Sequence, residues 1–240
     1  MTLGVIGESG AGKTTLALAL AALIEPAWAE VSGEVIFEGR NLLAQKERDL
    51  CLIRGAGIGM VFQDATGSLD PSVPVIKQVA EAIMFQRDWN KSKAAALEKA
   101  GRFLADMGLS PELLASAPYS YQLSGGLCQR AMIAAALACR PLLLLADEPT
   151  SSLDTTIQAQ IIGLLKEKQR SSDLAMIFIS HDLALVSTVA DRILVMRKGF
   201  AVEQGEVSKV LNRPAHEYTA ELVDTWEAAS RRERDTVASA

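Results

Sequence analysis

Apolar positions along the chain fall into two textures. Residues 3–6 are a short apolar run that predicts a buried strand, and residues 13–24 predict a helix that stops before Pro26. "GEVIFEG" (33–39) alternates between glycines and predicts a strand, as does "IGMVFQD" (58–64), with Gln63 near its end. From Val75 to about Arg140 the spacing changes to i, i+3, i+4, in "IKQVAEAIMF" and "SKAAALEKAGRFLADMGL", and Ser110-Pro111 reads as a helix start. Strands return at 142–146, 175–179 and 193–196, separated by helices at 157–169 and about 183–190. This order, βα, a helical stretch, then βαβαβ, predicts an α/β fold: a mostly parallel sheet with an inserted helical subdomain. We place the core at 1–63 and 141–210, the helical insertion at 64–140 and a tail at 211–240, polar and frayed from Ser230.

Composition narrows this little. With 240 residues, 49% of them hydrophobic, the chain can bury a substantial core as one domain. The net charge of -5, with no basic stripe, argues against a nucleic-acid partner. Cys51, Cys128 and Cys139 form no CxxC pair and read as reduced thiols. No secretory leader is legible, and the longest apolar candidate, 16–24, is too short to span a bilayer.

The chemistry begins at "GESGAGKT" (7–14), which fits G-x-x-x-x-G-K-[ST] between a strand and a helix. In that context Gly7, Glu8, Ser9, Gly10, Ala11, Gly12, Lys13, Thr14 and Thr15 are candidates to wrap nucleotide phosphates. Backbone N–H groups and the helix N-terminus supply positive potential. Lys13 reaches the β- and γ-phosphates, and Thr14 holds Mg²⁺. "LLLLADEPT" (142–150) is an apolar run ending in Asp147, placed to reach Mg²⁺, and Glu148, placed to polarise an attacking water. His181 ends a second apolar run, where a terminal phosphate is expected. His216 reads as a surface residue. "LSGGLCQR" (123–130) puts Ser124, Gly125 and Gly126 at the start of a helix, which is either an ordinary cap or a second anion site.

Taken in order, the phosphate loop, Gln63, "LSGG", "LLLLADEPT", "SSLD" (151–154) and His181 resemble an ABC-type ATPase, from residue 1 to about 225. "QDATGSLDP" (63–71), "TIQAQI" (156–161) and "RPAHEYTAEL" (213–222) look like the subgroup of importers for peptides and nickel. The resemblance implies a P-loop NTPase with a small antiparallel β part. It implies a homodimer, or a heterodimer with a sister ATPase, holding ATP and Mg²⁺ between two copies. Residues 7–15 of one copy would bind ATP, and Ser124, Gly125 and Gly126 of the other would close over it. Gln63 would touch Mg²⁺, Asp154 would cross the interface, Glu148 would act as general base and His181 would contact the γ-phosphate. It further implies membrane permease subunits, indirectly a solute-binding protein, and a location on the cytoplasmic face of the cell membrane.

Two departures qualify the resemblance. Only six residues precede Gly7, where the family carries further strands and an aromatic that stacks on adenine, so "GEVIFEG" is expected to lack its pairing neighbour. Leu127 stands where glutamine is frequent. Two alternatives therefore remain beside the importer subunit: an incomplete nucleotide-binding cassette without efficient turnover, and a soluble ABC-type ATPase. The chain has no sustained heptad run to favour the latter.

Overall fold

A computed structural model describes residues 1–86, 88–151 and 153–238, with side chains described as far as Ala228. In chain order the elements are β1 (Thr2–Ile6), α1 (Lys13–Leu20), β2 (Ile36–Phe37), β3 (Arg40–Asn41), α2 (Glu47–Ala56), β4 (Ile58–Val61), α3 (Ala65–Ser68), α4 (Val75–Met84), α5 (Lys93–Asp106), α6 (Pro111–Ala115) and α7 (Gly125–Ala138). There follow β5 (Leu143–Asp147), α8 (Thr155–Ser171), β6 (Ala175–Ile179), α9 (Leu183–Val189), β7 (Arg192–Arg197), β8 (Phe200–Glu206), α10 (Val207–Asn212) and α11 (Glu217–Ala238). The chain divides into two compact units, one made of Met1–Thr14 with the chain from Ile177 onward, the other of Thr15–Met176.

In the first unit β1 pairs in parallel with β7, and β7 pairs antiparallel with β8. β1 also neighbours β6, through the Ser180 N–H bonded to the Val5 carbonyl. Val5, Phe178, Ile179, Val186, Ile193 and Val195 form its core. β8, α10 and α11 go beyond what the apolar pattern predicts. β8 consists of exposed and half-exposed residues, and its apolar start, Phe200 to Val202, gives way at once to polar ones. The backbone of α11 runs through Ala238, where a frayed tail from Ser230 is expected. Its "SRRERDTVA" stretch is made largely of good helix formers.

In the second unit β4 and β5 pair in parallel, with Val61 opposite Ala146. The helical stretch is not continuous: Ser92, Ser110 and Ser124 cap α5, α6 and α7, each accepting a backbone N–H two or three residues into its helix. Packing rests on Val75, Val79, Ile83, Leu104 and Ile133. Three boundaries and one element differ from expectation. α1 stops at Leu20, because Ala22 takes a left-handed conformation and the Arg54 guanidinium binds the carbonyls of Ala21 and Ala22. "GEVIFEG" yields a two-residue strand, which finds its neighbour in β3 across the Glu38-Gly39 turn, both with positive φ. β4 ends at Val61, since the Asp64 carboxylate caps α3 through the N–H groups of Thr66 and Gly67. α2 is a second early helix, hidden because its charged first turn, Glu47, Arg48 and Asp49, is followed by one short apolar cluster, Leu50–Ile53, with only Leu50 buried.

Candidate functional site

In the first unit the phosphate loop leaves β1 and enters α1. Gly7 lies against β7 so closely that a Cβ there would meet the Met196 carbonyl at 2.2 Å, so only glycine fits. Gly12 has φ of +95°, the left-handed region, and the Gly199 N–H bonds the Ala11 carbonyl at 3.0 Å. A Cβ on Gly10 would meet nothing within 4 Å, which leaves that side of the loop open to a ligand. Lys13 is 7% exposed, and its ammonium donates to the Gly7 and Glu8 carbonyls at 2.9 and 3.0 Å. Thr14 and Thr15 follow on the first turn of α1, both exposed. His181 comes just after β6, beside β1, so neighbouring strands of this unit end in His181 and in the loop. Ser180 fixes that turn: its N–H reaches Val5 and its hydroxyl oxygen accepts the Asp182 N–H at 3.0 Å.

In the second unit the strand register does the positioning. Val61 pairs with Ala146, so two residues on, Gln63 and Glu148 leave the same end of neighbouring strands, and the Gln63 amide donates to a Glu148 carboxylate oxygen at 3.1 Å. Asp147 is 2% exposed at the end of β5. Glu148 has φ of +45°, a left-handed conformation for a residue with a side chain, costing on the order of 1–2 kcal/mol. Ser124 caps α7, and a Cβ on Gly125 would meet nothing within 4 Å. The N-terminus of this 14-residue helix is therefore open. Asp154 caps α8 through the Ile157 N–H at 3.0 Å. In "SSLD", Ser152 lies outside the described residues.

These donor sets fit nucleotide phosphates and a hard divalent cation. In the first unit the loop offers backbone N–H groups, the Lys13 ammonium and the Thr14 hydroxyl, a set suited to phosphate; in the second unit the Gln63 amide and the Asp147 carboxylate offer the hard oxygen atoms that a divalent cation takes.

Sequence reasoning missed three features. Gln129, 1% exposed, donates to the Pro149 carbonyl at 2.6 Å and ties α7 to the loop after Glu148; its only signal is its place after "LSGG". Tyr218, on α11, accepts the Glu8 N–H at 2.9 Å. His216, expected at the surface, is half-buried, with its N–H on the Glu203 carboxylate and its Nδ1 accepting the Tyr218 N–H. The second unit also carries a groove of about 550 Å³ lined by Phe37, Leu52, Ile53 and Phe85, with Arg40 and Asp49 at its rim. Leu52 and Phe85 are exposed there.

A family model described as ABC transporter matches residues 1–151. The glutathione import ATP-binding protein GsiA of Salmonella typhimurium is 44% identical over 228 residues, 92% of this chain and 36% of its own. The probable peptide ABC transporter ATP-binding protein y4tR of Sinorhizobium fredii is 45% identical, over 93% of this chain and 66% of its own. The oligopeptide transport ATP-binding protein OppD of Bacillus subtilis is 43% identical, over 91% and 61%. The chain thus spans about a third to two thirds of the length of these relatives. Among solved structures, the cassette MJ0796, a dimer in a post-hydrolysis state bound to ADP and Pi, superposes with a TM-score of 0.76 at 26% identity, over 86% of this chain and 85% of its own. CbiO1 of Clostridium perfringens, part of the transporter complex cbiONQ, superposes with a TM-score of 0.72 at 25% identity, over 88% and 79%.

Proposed function

The chain belongs to the ABC transporter family, and from that premise we propose that it is the ATP-binding and ATP-hydrolysing subunit of a membrane importer for peptide-class solutes. The observation that carries this reading is the phosphate loop, with Lys13 buried and held on the Gly7 and Glu8 carbonyls at the head of α1. An ammonium in that setting exchanges carbonyl dipoles for phosphate oxygens at little reorganisation cost. Of the solute classes that the motifs leave open, peptides and nickel, the relatives' names favour peptides.

On this reading Gly7, Glu8, Ser9, Gly10, Ala11, Gly12, Lys13, Thr14 and Thr15 wrap the triphosphate. Thr14, Gln63 and Asp147 would hold Mg²⁺, which when bound neutralises charge on the phosphate oxygens. Glu148 takes the proton from the attacking water, and the Gln63 amide, bonded to it at 3.1 Å, orients the carboxylate. His181 donates to the terminal phosphate. The chain works as a dimer, with a second copy or a sister ATPase, in which the open α7 end of one copy (Ser124, Gly125, Gly126) closes over ATP held by the other. Asp154 belongs to the same interface. The groove at Phe37, Leu52 and Phe85 suits a short amphipathic helix of a permease subunit, with Arg40 and Asp49 as its polar rim. The chain then sits on the inner face of the membrane, and no helix among the described residues is long and apolar enough to cross one.

The deciding experiment is steady-state ATP hydrolysis by the wild type and by Glu148→Gln. We expect the substitution to lower turnover by about 10²–10⁴-fold while MgATP still binds. Turnover equal to wild type would remove Glu148 from the chemistry, and absence of binding by the wild type would sink the nucleotide reading.

A further inference from the structure

Tyr218 lies in the first turn of α11, far from the phosphate loop in sequence but bonded to it. Its side chain is 5% exposed, and its hydroxyl accepts the Glu8 N–H, 210 residues away, at 2.9 Å. That N–H belongs to the Gly7–Glu8 peptide, whose carbonyl accepts the Lys13 ammonium at 2.9 Å. A trans peptide is planar, and its C=O and N–H point to opposite sides. Tyr218 and Lys13 therefore grip the two sides of one plane, and each bond polarises the group that makes the other. Gly7 has little room on one side, where a Cβ would meet the Met196 carbonyl at 2.2 Å.

Tyr218 is itself fixed from several directions. The Arg197 guanidinium lies 4.5 Å from the centre of its ring, from the last residue of β7. Its own N–H donates to His216 Nδ1 at 3.1 Å. The N–H groups of Ala215 and His216 both donate to the Glu203 carboxylate, at 2.9 and 3.0 Å, which anchors the start of α11 to β8.

We propose that Tyr218 is a positioning residue for the phosphate loop: its hydroxyl locks the Gly7–Glu8 peptide in the orientation that presents Lys13, so the start of α11 sets the loop's affinity for a nucleoside triphosphate. The affinity part rests on the nucleotide reading above; the lock on the peptide does not. Without the hydroxyl the Glu8 N–H loses its acceptor, the plane can rotate, and the carbonyl that steadies Lys13 turns with it. Binding weakens because the competent loop is then only a fraction of the population.

The test compares the whole chain with its Tyr218→Phe variant, which keeps the ring and its stacking on Arg197. Three quantities are measured: the thermal midpoint, backbone hydrogen exchange at Glu8, and the dissociation constant of MgATP. We expect at most a small fall in the midpoint, exchange at Glu8 faster by about tenfold, and MgATP affinity weaker by about three- to tenfold, the scale of one lost hydrogen bond. Turnover at saturating ATP stays at the wild-type value, so the defect appears in KM and not in kcat. A hydroxyl of purely structural use would lower the midpoint and leave KM alone. Unchanged exchange and unchanged affinity overturn the proposal. If the wild type binds no MgATP, the nucleotide reading falls, and exchange at Glu8 alone then decides the lock: faster exchange in the variant upholds it and equal exchange overturns it.

Discussion

Two backbone carbonyls meet the Lys13 ammonium, which is 7% exposed, in line with the rule that a buried charge must be hydrogen-bonded. The lysine is legible in the sequence because the glycine spacing around it is local. The peptide lock on Glu8 is not, because its partner stands 210 residues on, in a stretch whose composition announces only a helix. The same division holds for the thiols. Counting cysteines indicates reduced groups, but only the fold ranks them. Burial pushes the Cys139 thiol up to about 11, and burial also raises buried Cys128, while Cys51 lies exposed. Thiolate is the reactive form, so a raised pKa together with burial means low reactivity. Alkylation of the folded chain at about pH 8 is expected to modify Cys51 and spare Cys128 and Cys139, which react only on unfolding; mass spectrometry of the labelled peptides checks this.

Elements were readable where one face or both are apolar throughout. β5 and β6 announce themselves by runs that suit strands covered on both sides, and the polar residues that follow them are the candidate site. α2 and β8 were not readable, since the apolar residues of α2 are clustered behind a charged first turn and β8 is exposed or half-exposed along its length. Both take their form from neighbours: α2 packs on β4, and β8 is held by antiparallel pairing with β7. β8 matters beyond its own pairing because Glu203 anchors α11. Burial acts to raise the Glu203 carboxyl, but the Ala215 amide, the Thr219 side chain and then the amide and charge of His216 together outweigh it and hold the group below its ordinary range. A carboxyl depressed in the folded state contributes stability above its unfolded pKa, and that contribution disappears as pH falls through the folded value. We therefore expect the α11 anchor to loosen on acidification, below the ordinary carboxylate range and not near neutrality. Backbone hydrogen exchange at Ala215 and His216, whose N–H groups bind the Glu203 carboxylate, followed from pH 7 downward and corrected for the intrinsic pH dependence of exchange, reads this, and a Glu203→Gln variant loses that acid step.

On the scale of the whole molecule, the proposed chemistry needs two chains. At the N-terminus of α7 a Cβ on Gly125 would meet nothing within 4 Å, so that end of the helix is open, and the solved cassette MJ0796 is a dimer with ADP and Pi. We expect Glu148→Gln to run as a dimer in size-exclusion chromatography with ATP and as a monomer without it, and a further Ser124→Arg change to abolish the shift by blocking that end of α7. A monomer under both conditions for Glu148→Gln would argue against closure by a second chain. Whole-molecule stability also meets a local constraint at Glu148, whose φ of +45° suits glycine better than any side chain. Directed evolution for heat resistance alone would accept glycine at this position, because the left-handed backbone relaxes there. Survivors of such a selection would be sturdy and inert, so an engineer hardening this chain has to screen for turnover in every round.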